Sequence, residues 1–247
     1  MPLVRVWGDA PRKVWDESPR RATPHKKGPM TKKRKLSDTQ ITVLCCMVVL
    51  IATLTAFDVY YAKENRQIEE KYAAEETARQ NEINAKLNAL KRNTAIKGYI
   101  DEYAAEFAVH PAYLAAIVLN ESSFRPDATS SVGARGLMQL MPDSGTWIAP
   151  KIGIHNYTDD MLYNARTNVH MGAWYVNYLQ QIFDGDPVLT ACAYHAGANN
   201  VKSWLKKYSQ DGKTLPIENI PYENSKSYAR KVVNAYALYA ENCYPDS

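Results

Sequence analysis

Glu121-Ser122-Ser123-Phe124, followed by Gly133-Ala134-Arg135-Gly136-Leu137-Met138-Gln139, decides how this chain is read. Immediately before it, residues 112–120 carry Leu114, Ile117 and Val118 on one side of a helix. That helix opens after His110-Pro111, because proline suits a first helical position. The spacing therefore puts the carboxylate of Glu121 at the end of an apolar helix. Residues 122–136 hold Ser, Pro, Asp and Gly and read as loop, with room for a short hairpin. A second apolar segment starts at Leu137. Leu119, Phe124 and Met138 can then surround the acid, and burial among apolar side chains raises a carboxyl's pKa toward neutrality. A Glu at a helix end is more often simply solvated, so these residues alone leave both readings open.

Working outward, helical spacing recurs on both sides. Ile100, Tyr103, Ala104, Phe107 and Ala108 mark a helix just after Gly98, which opens the compact region. Residues 168–183 form another, with Met171, Trp174, Tyr175, Tyr178 and Leu179 as its apolar side. A buried helix over 188–194 stops near Gly197, and helices over 199–208 and 225–242 complete the set. No strand pattern of useful length and no internal repeat occurs. Residues 98–247 thus read as one predominantly α domain.

The N-terminal part is different in kind. The net charge of +4 hides an asymmetry: residues 1–40 carry eleven Lys/Arg against four Asp/Glu, whereas the remainder carries nineteen against twenty-two. Residues 1–40 are also rich in Pro and read as a basic disordered tail. Residues 41–57, ITVLCCMVVLIATLTAF, contain no charge, and Val59, Tyr60 and Tyr61 extend the run with interfacial aromatics. Both flanks are polar for tens of residues and offer no core, and no small-x-small cleavage site follows. The expectation is a single uncleaved transmembrane anchor over 41–60. Its basic tail stays cytoplasmic by the positive-inside rule, and everything after it is extracytoplasmic. Residues 61–97 lack Pro and Gly and are dominated by helix formers. They read as a helical stalk, long enough to reach ~60 Å from the membrane, with a flexible charged linker as the alternative.

Several function classes recede. The basic excess sits in the tail, not on the domain, so nucleic acid is not an expected partner. The five His are scattered without a Cys or Glu at ligand spacing, and no Gly-rich phosphate loop sits between strand and helix. Neither a metal nor a cofactor is expected. Cys45 and Cys46 lie in the anchor. Cys192 and Cys243 lie in the exported part, where a bridge between them stays open alongside Cys192 as a small buried hydrophobe.

The motif order resembles that of the lytic transglycosylases related to the C-terminal domain of the soluble enzyme, a family of the lysozyme-like superfamily. Their first signature corresponds to Glu121, Ser122, Phe124, Ala128, Ser130, Gly133, Ala134, Gly136, Leu137, Met138, Gln139 and Pro142. Asn168, Gly172 and Tyr175 look like the second. Ala193-Tyr194-His195-Ala196-Gly197 with Val201 and Trp204 looks like the third, and Ile220-Pro221 with Tyr228 and Val232 like the fourth. Two departures stand out. His195 replaces the usual Asn, and Asn224-Ser225-Lys226 replaces the Glu-Thr-Arg before the last Tyr.

The resemblance implies a lysozyme-like, α+β but mainly helical catalytic domain over 98–247. It implies Glu121 as the catalytic acid, with Met138, Gln139, Tyr194, His195 and Tyr228 lining a saccharide cleft. The implied substrate is a peptidoglycan glycan strand, cut between N-acetylmuramic acid and N-acetylglucosamine to leave a 1,6-anhydro sugar. The absence of an assigned second carboxylate suits that outcome, because the attacking hydroxyl belongs to the substrate itself. Two alternatives remain: a goose-type lysozyme that hydrolyses the same bond, and a wall-binding scaffold of a secretion or conjugation apparatus. The tail and stalk leave room for a protein partner in the cell envelope.

Overall fold

A computed structural model describes residues 35–245. The expected basic tail lies outside the described residues up to position 34. Its last three residues already belong to a helix, which corrects the expected boundary at 40. The helices are α1 (Asp38–Arg92), α2 (Thr94–Glu106), α3 (Pro111–Ser122), α4 (Pro142–Ile148), α5 (Ala165–Ile182), α6 (Pro187–Ala196), α7 (Ala198–Tyr208) and α8 (Glu223–Cys243). Short 3-10 turns lie at Ala149–Ile152, Asp159–Tyr163 and Ile217–Asn219. Among the described residues there is no strand. The α+β component of the expectation reduces to two isolated bridges, Thr129 to Arg135 and Arg135 to Leu140. The loop is too short and too strongly turned at Gly133 and Gly136 to pair further.

The chain divides into two units, residues 1–65 and 66–247. In the first, α1 is the one helix among the described residues long and apolar enough to cross a membrane, and its apolar side chains from Ile41 to Phe57 are uncovered. A helix can expose such a run without penalty only where the surrounding medium is itself apolar.

In the second unit α3 is the central helix. Ala112 through Val118 are all buried, so the helix is apolar all round, as a core helix must be. Its start is fixed twice: Pro111 occupies the first turn, and the His110 ring accepts a hydrogen bond from the Ala112 N–H. α8 packs along one side of α3 and also against α6, while α2 flanks α3 and α5. Asp186 caps α6 by accepting from the Val188 and Leu189 N–H groups, and Asn164 caps α5 by accepting from Thr167 N–H.

The compact unit begins earlier than Gly98. Leu90 is fully buried, Leu87 packs beside it, and the Tyr239 hydroxyl donates to the Lys86 carbonyl at 2.9 Å. The last two turns of α1 thus belong to the domain core rather than to a free stalk. α1 ends at Arg92 because the Asn93 amide turns back onto the Ala89 carbonyl, and α2 starts at once. Ile96 and Ile100 then enter the same core.

Candidate active site

Glu121 lies in the last turn of α3, where the backbone leaves the helix abruptly. Ser123 and Phe124 both adopt left-handed φ values, +52° and +63°. Non-glycine residues occupy that region at a cost of roughly 1–2 kcal/mol each. Burial of Phe124 and the hydrogen bonds of Ser122 offset it. The Ser122 hydroxyl donates to the Leu137 carbonyl at 2.7 Å and so ties the end of α3 to the Gly-rich loop.

That loop is organised from beneath by Asn168. Fully buried in α5, its amide accepts from the Met138 N–H at 2.7 Å and donates to the Arg135 and Leu162 carbonyls at 2.9 and 2.8 Å. Gly136 sits directly above it at φ +78°, and a Cβ there would collide with the Leu162 carbonyl and the Asn168 amide. Gln139, also left-handed at φ +48°, folds its amide back to donate to the Ala128 and Gly136 carbonyls. Arg135 pairs with Asp160 and lies over the Tyr163 ring, bracing the loop from its outer side.

The carboxyl itself is partly buried. The Tyr228 hydroxyl of α8 donates to Glu121 Oε1 at 2.6 Å. Burial pushes the Glu121 carboxyl up to about 7, and the Tyr228 hydrogen bond opposes that rise without cancelling it. No charged side chain contributes to the shift. Tyr228 and Tyr194 are both held far above the ordinary phenol range, first by burial and then by the Glu121 charge. Both hydroxyls therefore keep their protons and act as donors. Tyr194 donates to the Met138 carbonyl at 2.7 Å.

His195 stacks on the Tyr228 ring, centroids 4.6 Å apart and planes 17° from parallel. Partial burial lowers its pKa from the ordinary histidine value, so at neutral pH it is an uncharged hydrogen-bonding ring. A groove of about 370 Å3 opens beside it, lined also by Asn200, Trp204 and Tyr222.

Of the six expected site residues, Glu121, Tyr228, Tyr194 and His195 converge on one place. Met138 does not present its side chain there. It is fully buried, with its sulfur against Gly172, where any Cβ would displace it. Its backbone N–H and carbonyl, not its thioether, serve the site. Gln139 spends its amide N–H groups on the loop, and its carbonyl oxygen has no hydrogen bond among the described residues. Sequence reasoning missed Asn168 as a site organiser and Trp147 as part of an aromatic wall. Trp147 meets Trp174 and Tyr178 at 5.2 and 5.1 Å, and Tyr175 continues that wall to Tyr194 at 5.4 Å. The signal for Asn168 was its place as a polar residue amid the apolar side of a helix. Cys192 and Cys243 are both free thiols, so no bridge joins them, and burial holds Cys192 up at about 12.

Among the described residues no group of three His, Cys, Asp or Glu side chains could hold a metal ion. A carboxyl that titrates near 7 in a partly dry setting is suited to giving a proton and then taking one back.

Comparison with known proteins places residues 98–216 on the family model "Transglycosylase SLT domain". The soluble lytic murein transglycosylase of Escherichia coli (strain K12) is 31% identical over 139 residues, covering 56% of this chain and 21% of that protein. Membrane-bound lytic murein transglycosylase D of the same organism is 30% identical over 124 residues, covering 50% and 27%. Among solved structures, the lytic transglycosylase Slt of Pseudomonas aeruginosa, an inactive mutant, superposes with a TM-score of 0.54 at 32% identity, covering 58% of this chain and 24% of that one. The chain spans about a fifth of the length of the soluble Escherichia coli relative, so the likeness is between domains.

Proposed function

We propose that the chain is a membrane-anchored peptidoglycan lytic transglycosylase, with residues 98–216, which match the family model "Transglycosylase SLT domain", in its catalytic domain. The observation that carries the proposal is the Glu121–Tyr228 pair: one carboxyl, raised to about 7 by burial, with no second charged group setting its proton affinity.

The chemistry needs only that carboxyl. Protonated Glu121 gives its proton to the oxygen linking N-acetylmuramic acid to N-acetylglucosamine. The C1–O bond breaks and leaves an oxocarbenium-like centre on the muramic residue. Glu121, now a carboxylate, accepts the proton of the muramic C6 hydroxyl, whose oxygen bonds to C1. The product ends in a 1,6-anhydro sugar, no water is consumed, and the carboxyl regains its proton. Intramolecular attack replaces the activation of water that a second carboxylate would perform. The Tyr228 hydroxyl stabilises the transient carboxylate, and the neutral His195 ring together with Tyr194 shapes the saccharide cleft.

Residues 41–60 would anchor the chain in the cytoplasmic membrane. The basic residues before them would keep the N-terminus inside, with the domain outside against the wall. The uncovered apolar stretch of α1 and the name of the membrane-bound relative support this placement.

The test is product analysis. The full chain in detergent is incubated with purified peptidoglycan and the fragments are weighed by mass spectrometry. Anhydro ends are expected. Reducing ends would replace the proposal with a hydrolase, and absence of release with a wall-binding role.

A further inference from the structure

Glu121 and His195 meet the same side chain at different places. The Tyr228 hydroxyl donates to Glu121 Oε1 at 2.6 Å, and the face of the same ring carries the His195 imidazole, centroids 4.6 Å apart and planes 17° from parallel. Glu121 is the one hydrogen-bond partner of that hydroxyl among the described residues. The His195 ring nitrogens have no hydrogen bond among the described residues, so the stack is what ties the imidazole to the site. Tyr228 reaches from α8 to a group on α3, and the ring stacked on it from α6 narrows the swing of its phenol.

The same imidazole is placed to take up a proton. It is exposed, and it sits in the last turn of α6, where the carbonyl end of a helix favours a cation. The groove beside it is lined by uncharged side chains: Asn200 and Trp204 from α7, Tyr222 before α8, and Asn224 and Ser225 from its first turn. Lys226, next on α8, pairs with Glu223 at 3.7 Å. α5 presents Tyr175 to the neighbouring Tyr194. From α3 the titratable group is Glu121 itself, beyond the Tyr228 hydroxyl.

We propose that His195 is a positioning residue for the acid: its neutral ring holds the Tyr228 hydroxyl on Glu121, and its protonation slows the reaction. The inference rests on the transglycosylase reading above. An imidazolium against the phenol ring draws electron density from the O–H and tightens its bond to Glu121. The carboxylate formed by the first proton transfer is then a weaker base for the second. The added charge also opposes the positive centre that develops at C1. The pH–rate profile is therefore a bell. Its alkaline limb is the loss of the Glu121 proton at about 7, and its acid limb is the gain of the His195 proton, below 6.5 because partial burial disfavours the cation.

Two variants separate the ring from its charge. The full chain in detergent acts on soluble glycan strands across about pH 4.5–8, and kcat and KM are read from anhydro-end release. His195→Ala should lose about 3- to 10-fold in kcat near neutral pH, the factor that one stacked aromatic pair contributes. His195→Phe keeps the stack and should recover most of that loss. Both should lose the acid limb, so that their rates stay level toward low pH. An acid limb that persists in either variant, equal kcat losses in the two, or a change in KM alone overturns the assignment. A second measurement needs no turnover. In the full chain carrying Glu121→Gln the carboxyl titration is gone, and the ring proton and carbon resonances of Tyr228 are followed by NMR as pH falls. They should shift in one step with the midpoint of the His195 ring, below 6.5, and the step should vanish when His195→Phe is added. Tyr228 resonances that do not move with His195 overturn the coupling. Reducing ends, or no release, with this step present would sink the transglycosylase reading and leave the coupling of His195 to Tyr228 standing.

Discussion

The Tyr228 hydroxyl reaches Glu121 Oε1 across 2.6 Å although 107 positions separate them in the chain. Packing of α8 along α3 makes that contact, and it sets two opposing influences on one carboxyl. Burial favours the protonated acid and the phenol hydrogen bond favours the carboxylate. Their balance near 7 means that neither protonation state is expensive, which is what a group that must donate and then accept requires.

Glu121→Gln removes the proton but keeps the shape and a partner for Tyr228. Release of anhydro fragments should fall by about a thousandfold or more, within the upper range of a general acid's contribution. The variant should keep its helical circular dichroism. Activity within tenfold of the parent, measured on purified peptidoglycan, would move the chemistry away from this residue.

Tyr228→Phe deletes the influence that lowers the Glu121 pKa and leaves burial unopposed. The Glu121 pKa should rise above about 7, so the titration visible in the pH–rate profile should move toward higher pH. The maximal rate should also fall, because the transient carboxylate loses a donor. A profile with lower rates but an unmoved midpoint would make Tyr228 a packing residue only.

The raised pKa also has a stability consequence. The folded state keeps its Glu121 proton up to about pH 7, whereas the unfolded chain releases it near 4.5. Between those values the folded state binds more protons, so stability falls as pH rises, by on the order of 2–3 kcal/mol in all. Below pH 4.5 this cost is absent, and above 7 it is complete. Glu121→Gln should therefore be more stable than the parent at pH 8 and nearly equal at pH 4.5, as read from urea unfolding followed by Trp fluorescence.

The helices were legible because their apolar positions repeat at helical spacing and their starts carry Pro111, Pro187 and similar punctuation. α4 escaped notice because its seven residues are too few to display a period. The site was legible as a set of motifs, but its wiring was not. Met138 sits in the signature beside Gln139, and only the fold reveals that its thioether faces Gly172 while its backbone serves Asn168 and Tyr194. The family match begins at Gly98 as expected, but the core contacts that reach back into α1 were not legible, because Leu87 and Leu90 are isolated apolar residues in a polar stretch. Their burial depends on Tyr239, some 150 positions away, and no local pattern records such a contact.

Asn168→Ala tests the wiring. It strips partners from the Met138 N–H and from the Arg135 and Leu162 carbonyls, all in the interior beneath the loop. Each unsatisfied buried group costs about 1–3 kcal/mol, so the domain should lose several kcal/mol of stability. Release should fall even at temperatures where the variant stays folded, since the loop behind Ser122 loosens. A melting temperature within a degree or two of the parent would show that water substitutes for the amide.

Leu90→Ala tests whether α1 is a stalk or part of the domain. Leu90 is wholly buried in the core cluster with Ile96, Ile100 and Tyr239, outside the span matched by the family. Truncating a buried leucine costs about 2–5 kcal/mol, according to how far the cavity collapses. A solvated stalk residue would cost only a few tenths of a kcal/mol, through helix propensity. Urea unfolding of the full chain distinguishes the two outcomes. A loss of at least 2 kcal/mol is expected, and a loss below 0.5 kcal/mol would return residues 86–92 to the stalk. The same burial predicts that a fragment starting at residue 98 is less stable than one starting at 66. Removing the segment uncovers the α8 surface around Tyr239 and leaves that hydroxyl without its acceptor.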